Sequence, residues 1–263
     1  MFRYFGFGSN LNITSLRAKG VQPVSARRGT LHGWRLRFNV QHFFRHEGGV
    51  GNIEPGTQPD HQVLGIVYEC PDESLAALDA TEAYGHGYDR IEVTVEVDGE
   101  LVTALTYVGM PGFINDNCLP CQRYLNILVA GAREATLDSD YIRKLQAHPV
   151  LASRHYPLFK HPAGEFPRFN AQTLAENPHC TALHGAVFDM SAARPMHDYL
   201  KGFFGGRDMT LFHIKRLDSS DGSESLDDIR YSRLNPAQLE YLNAYLNEYA
   251  REYRYVGRFS YEN

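Results

Sequence analysis

Tyr4-Phe5-Gly6-Phe7-Gly8-Ser9-Asn10-Leu11 is the stretch on which the reading of this chain turns. A strand ends there in two glycines, followed by Ser9 and Asn10, before a helix-like segment that includes Leu16. Glycine lacks a Cβ, so the backbone can turn sharply and bring its N–H groups close to a ligand. Ser9 or Asn10 is expected to cap the helix that follows. Such a turn can cradle a carboxylate or a developing oxyanion. Many strand-to-helix junctions look alike, so by itself the turn also reads as plain architecture.

Outward from this stretch, the first hundred residues keep the two-residue period of strands. Val63-Leu64-Gly65-Ile66-Val67-Tyr68 is a short apolar run. Ile91 to Val97 alternates strictly, turns at Asp98-Gly99 and returns from Leu101 to Val108, which predicts a hairpin. Asp72 to Asp79 reads as a short helix after Pro71, with acids in its first turn. Cys121 to Arg133 and Ser139 to Ala147 read as two more. Strands first and helices later predict an α+β or barrel-like domain. Glu82 falls just past the first of these helices, in Leu78-Asp79-Ala80-Thr81-Glu82-Ala83-Tyr84-Gly85-His86-Gly87-Tyr88. A lone glutamate in a loop is by default a solvated charge.

Together, the two stretches resemble the γ-glutamylcyclotransferase family. The Tyr-Phe-x-x-Gly-Ser-Asn-Leu start is similar to that family's substrate-binding loop, and the Leu-Asp-x-x-Glu…Gly-x-Tyr segment places its catalytic glutamate on Glu82. The likeness runs on through Gly48-Gly49-Val50 and the hairpin to Tyr124 and Gly131-Ala132-Arg133-Glu134, where Tyr124 matches a substrate-contacting tyrosine. Phe7 departs from the pattern, since the family often has tyrosine there, and its presence removes a hydroxyl. The resemblance implies a small mixed β-barrel with flanking helices over residues 1–148. It implies substrate contacts from Tyr4, Phe5, Gly6, Phe7, Gly8, Ser9, Asn10 and Tyr124. The implied reaction releases an amine or amino acid from a γ-glutamyl compound and forms 5-oxoproline, with Glu82 as general acid/base and no metal or cofactor required.

From His148 to Pro167 the composition shifts, with Pro149, Pro157, Pro162 and Pro167 breaking any periodicity; residues 149–165 are expected to form a semi-rigid linker. Beyond it, Leu183 to Met190 reads as a hairpin, Phe203-Phe204-Gly205-Gly206-Arg207-Asp208 as a helix end, and Pro236 to Tyr253 as a long helix with Leu239, Leu242, Leu246 and Tyr249 at helical spacing. In that order these pieces resemble the cytochrome b5-like haem/steroid-binding family, in its membrane-associated progesterone-receptor branch. The resemblance implies a small α+β domain over 166–263. That branch's axial haem tyrosine would fall on Lys201, with Tyr199 and His197 nearby as further contact candidates; neither histidine of true cytochrome b5 has an evident counterpart. Haem is therefore disfavoured, and an empty pocket, another apolar ligand or a partner surface is expected instead.

At 263 residues the chain exceeds one average domain of roughly 150. The net charge of -5 comes without a basic stripe, which argues against nucleic acid as a partner. No apolar run approaches the ~20 residues of a membrane span, and no secretory h-region follows Met1. Four cysteines are too few and too irregular for a disulfide framework, so a cytoplasmic location is expected. Cys118-Leu119-Pro120-Cys121 lacks the two further ligands of a zinc site and the βαβ context of a redox dithiol, leaving a turn into the next helix. His32, His42, His46 and His61 show no ligand spacing and are expected to supply surface or strand polarity. The expectation is thus a cyclotransferase acting on a small γ-glutamyl molecule. The alternative is a haem- or apolar-ligand-binding protein on a worn cyclotransferase scaffold.

Overall fold

A computed structural model describes residues 1–261, and the chain divides into two compact units, Met1–Ala152 and Ser153–Asn263. The first unit contains β1 (Phe2–Gly6), α1 (Ile13–Ala18), β2 (Ser25–His32), β3 (Trp34–Gln41), β4 (Gly49–Pro55), β5 (Gln62–Cys70), α2 (Leu75–Thr81), β6 (Tyr88–Val97), β7 (Glu100–Gly109), α3 (Gln122–Glu134) and α4 (Ser139–Gln146). Five strands close a barrel in the order β1-β5-β2-β6-β7. The pairings are antiparallel except at the closure, where β1 meets β7 in parallel at Tyr4 and Leu105. The β6–β7 hairpin turns through Asp98 and Gly99, both left-handed at φ 52° and 83°, as a two-residue Asp-Gly turn requires. Strands β3 and β4 form a separate two-stranded arm.

The period of two sorts β1 into two cores. Phe5 and Phe7 join Leu31, Val63, Val67, Val93, Val95 and Val97 in one buried cluster. Tyr4, one residue away, joins Tyr68, Leu78, Tyr107, Leu125 and Leu128 in another, which the helices supply. The first cluster is tight: a Cβ on Gly65 would lie 2.5 Å from the Phe5 ring. A Cβ on Gly131 of α3 would lie 2.4 Å from the backbone of both Leu11 and Asn12. That helix therefore backs directly onto the segment following the glycine turn.

The cap of α1 differs from expectation. Ser9–Leu11 form a single 3-10 turn, closed by Leu11 N–H to Gly8 O (2.9 Å) and Asn12 N–H to Ser9 O (3.1 Å). The cap is Asn12, whose Oδ1 accepts from the Ser15 N–H at 2.9 Å. The intervening turn delays the helix by three residues, and the Ser9 and Asn10 side chains serve elsewhere.

The second unit contains β8 (Arg168–Phe169), α5 (Ala171–Ala175), β9 (Cys180–Leu183), β10 (Ala186–Asp189), α6 (Asp198–Phe204), α7 (Thr210–Ile214), α8 (Leu226–Arg230), α9 (Pro236–Glu252) and β11 (Arg254–Phe259), with a sheet ordered β8-β11-β10-β9. Asn235 and Gln238 form a capping box at the start of α9, with Pro236 in the first turn. The buried stripe of that helix begins a turn later than the spacing suggests. Leu242, Tyr245, Leu246 and Tyr249 are buried, whereas Leu239 is 44% exposed. Within the proline-broken stretch, Tyr156 and Phe159 are tied to α9. Tyr156 Oη donates to Glu248 Oε1 at 2.7 Å, and the Phe159 N–H donates to Asn243 Oδ1 at 2.7 Å.

Asp208 introduces a pH dependence into this unit. Its Oδ1 accepts from the Thr210 hydroxyl at 2.6 Å, while its Oδ2 is sealed from solvent and has no hydrogen-bond partner among the described residues. Burial pushes the carboxyl up from 3.8 to about 6, against the opposing Thr210 hydrogen bonds. A carboxyl that binds its proton more tightly folded than unfolded stabilises the fold below the unfolded value and loses that contribution as pH rises through the folded one. Between about pH 4 and 6 the unit should lose up to ~3 kcal/mol. Hydrogen exchange of the β9 and β10 amides checks this. Protection should fall over that range in the wild type and stay level in Asp208→Asn.

Candidate active site

The glycine turn, the end of α2, the β4 strand and the start of α3 meet at one place in the first unit. Glu82 caps the C-terminus of α2, its N–H bonded to Leu78 O at 3.0 Å. The next residue, Ala83, is left-handed at φ 52°, a conformation costing a non-glycine residue on the order of 1 kcal/mol. Its carbonyl accepts from the His86 and Gly87 N–H groups at 2.9 and 2.8 Å, which holds the chain in the reversal. The helix thus stops abruptly and leaves the Glu82 side chain facing the glycine turn, only 13% exposed. It is not the solvated charge that an isolated loop glutamate would be.

Asn10 connects the two stretches. Its Nδ2 donates to Glu82 Oε1 at 3.0 Å and to the Tyr4 hydroxyl at 2.6 Å, while its buried Oδ1 has no partner among the described residues. Lys19 Nζ donates to the same Glu82 Oε1 at 2.7 Å. Tyr124 approaches from α3. Its hydroxyl accepts from the Gly51 N–H at 2.8 Å, and the Ser9 backbone N–H also bears on it. A Cβ on Gly8 would lie 2.9 Å from that hydroxyl, and one on Gly51 would lie 2.8 Å from it. Tyr88 completes the group by donating to Gly51 O at 2.6 Å. Phe5 and Phe7, whose rings lie 6.4 Å apart, are buried in the cluster behind the turn, and Gly6 is buried with them.

The phenols here are acids too weak to ionise near neutrality. Burial, and then the Glu82 charge, raise Tyr4 well above its ordinary value. Burial, the Tyr124 hydroxyl and Glu82 do the same to Tyr88. Burial pushes Tyr124 up to about 12, although the Gly51 N–H opposes it. Each remains a neutral hydroxyl. With two N–H groups directed at the Tyr124 oxygen, what that hydroxyl can still offer is its proton.

A second polar cluster fixes the start of α3. Glu47, 1% exposed, accepts from Arg123 and from the Cys121 thiol, the latter at 3.2 Å. Burial works against the Glu47 charge, yet Arg123, His46 and His42 hold its carboxyl well below the usual range. This anchors Arg123 and so sets the position of Tyr124. Cys121 is the N-cap residue just before α3, and burial and Glu47 push its thiol up to about 12, the reverse of a poised redox thiolate. His46 is not the surface group expected: its side chain is 11% exposed beside Glu47, because the loop before β4 folds inward. Among the described residues no group of three or more His, Cys, Asp or Glu could hold a metal ion. No helix among them is long and apolar enough to cross a membrane.

The structure brings Tyr4, Gly8, Ser9, Asn10, Glu82 and Tyr124 together. Gly51, Tyr88 and Lys19 belong to the same place but were not singled out from sequence. Tyr88 lay inside the stretch quoted around Glu82. Gly51 and Lys19 carried no pattern of their own. In the second unit, His197 is fully buried, its two ring nitrogens 2.8 Å from the Tyr253 hydroxyl and 3.1 Å from Arg194. Tyr199 stacks on Phe203, and Lys201 pairs with Asp198 at 2.9 Å.

The barrel and this site have counterparts among known proteins. Residues 62–145 match the model of the AIG2-like family. The chain is 28% identical over 151 residues to the γ-glutamylcyclotransferases of Mus musculus and Homo sapiens, an overlap of 56% of this chain and 78% of each relative. It is similar to a solved γ-glutamyl cyclotransferase structure at 26% identity and a TM-score of 0.50, covering 57% of this chain and 89% of that one. An uncharacterized Homo sapiens protein is similar at 27% identity and TM-score 0.50, covering 59% and 91%. A γ-glutamylcyclotransferase-like closed mixed barrel with flanking helices is therefore the class of the N-terminal part. The AIG2-like/γ-glutamylcyclotransferase family is supported for that part of the chain.

Proposed function

We propose that the first unit is a γ-glutamyl cyclotransferase, releasing an amine or amino acid from a γ-glutamyl compound as 5-oxoproline forms. The observation that carries this is Glu82, a nearly buried carboxylate held by Asn10 and Lys19 beside the glycine turn. The substrate's own α-amine attacks its γ-carbonyl carbon, so no protein nucleophile and no cofactor enter the reaction. Glu82 takes the proton from the attacking nitrogen and passes it to the leaving nitrogen as the old amide bond breaks. The Tyr124 proton is directed to a substrate oxygen, and the unpartnered Asn10 Oδ1 accepts from the N–H of the substrate's attacking α-amine. The remaining contacts come from Tyr4, Gly8 and Ser9, with Phe5, Gly6 and Phe7 shaping the wall behind them.

For the second unit, the cytochrome b5-like resemblance is kept as a proposal, without stoichiometric haem. His197 is committed through both ring nitrogens to Tyr253 and Arg194, contacts that an axial ligand would have to break. The test of the main function is a panel of γ-glutamyl amino acids and γ-glutamyl amines incubated with the full chain, with free 5-oxoproline read out. Release from at least one member is expected. Release from none, with a folded protein, contradicts the assignment.

A further inference from the structure

We propose that Lys19 is a positioning residue for the acid/base, a cation that keeps Glu82 ionised and aimed before substrate arrives. The proposal rests on the cyclotransferase function above. It begins with how the sequence places a lysine there. Helix α1 ends at Ala18, and Lys19 closes it, its N–H bonded to Leu16 O at 3.1 Å. Gly20 follows in the left-handed region at φ 82°, which lets the chain reverse and the lysine side chain turn inward. Its ammonium then lies 2.7 Å from Glu82 Oε1 and 3.5 Å from the Ser9 hydroxyl, with the two charged side chains 6% and 13% exposed.

Burying an ammonium and a carboxylate in contact is a poor way to gain stability, because desolvation offsets most of their attraction and an apolar pair would serve the fold as well. The pair makes sense where the charge itself is used. Among the titratable groups whose fields act with that of Glu82 are the hydroxyls of Tyr4, Tyr88, Tyr107 and Tyr124. Burial holds every one of them neutral near pH 7, so Lys19 supplies the opposing charge within this set. Asn10 and Lys19 converge on one oxygen of Glu82, which fixes the orientation of the carboxylate. An opposite charge at this distance favours the ionised form and so extends general-base activity to lower pH.

The test is the pH profile of kcat/KM for 5-oxoproline release by wild type, Lys19→Gln, Lys19→Met and Lys19→Arg. In the two neutral variants the acid limb should move to higher pH by about one to three pH units, and Lys19→Arg should return it toward wild type. A uniform loss at every pH with an unmoved limb would mean a structural role and overturn the proposal. So would neutral variants that fail to fold while Lys19→Arg folds, since the cation would then serve the fold. A wild type that releases no 5-oxoproline removes the cyclotransferase assignment. An active wild type with unshifted neutral variants removes only the role of Lys19.

Discussion

Glu82→Gln is expected to lower 5-oxoproline formation by on the order of 10²–10⁴-fold in a protein that still folds, with some loss of thermal midpoint because the buried Lys19 ammonium loses its counter-charge. The amide keeps the size of the carboxyl and can still accept from Asn10 and Lys19 through its oxygen. What it loses is the ability to hold a proton between the attacking and leaving nitrogens. The cyclisation supplies its own nucleophile, so the proton transfer is the step for which the protein has no substitute. Substrate affinity should change little, since the γ-glutamyl contacts come from the glycine turn and Tyr124. The check is single-substrate kinetics with direct product detection beside a thermal melt. Turnover within about tenfold of wild type would remove Glu82 from the chemistry.

Gly8→Val is expected to cost activity out of proportion to stability. A Cβ at residue 8 would fall 2.9 Å from the Tyr124 hydroxyl, closer than such atoms approach one another. The hydroxyl is the far end of a side chain, so it can give way, and the fold should survive with a modest loss. In giving way it leaves the Gly51 N–H, which now sits 2.8 Å from it, and the proton it directs to the substrate moves with it. A displacement near 1 Å in a reacting array costs on the order of 10²-fold. The same crowding reaches Gly51 of β4, whose backbone also lies against that oxygen. Activity compared with the thermal midpoint decides the matter. A Gly8→Val protein with normal activity and normal stability would make the turn a structural junction only.

The barrel was largely legible because its strands carry the signals that short-range physics writes into sequence. The strict alternation from Ile91 to Val97 and the Asp98-Gly99 turn predict a hairpin, and that hairpin forms two of the five barrel strands. The helix after the glycine turn was legible, but its cap was not. Nothing local distinguishes Asn12 from Ser9 or Asn10 until the 3-10 turn is seen to intervene. The site was legible where a pattern repeats a known arrangement, at the turn and at Glu82. It was illegible where a residue matters through a long-range contact. Gly51 is one glycine among many until Tyr124, far along the chain, arrives at its N–H. Lys19 carries no pattern of its own, and only the reversal at Gly20 turns it inward. His46 failed in the same way, since burial beside Glu47 depends on the fold of a loop that shows no periodicity.

The central claim, that the first unit closes a γ-glutamyl group on its own amine, is tested most directly by running the reaction in ¹⁸O-labelled water. Cyclisation transfers no solvent oxygen, so one unlabelled 5-oxoproline should appear for each amine released. Free glutamate carrying the label at its γ-carboxyl, or amine release without 5-oxoproline, would show hydrolysis and contradict the claim.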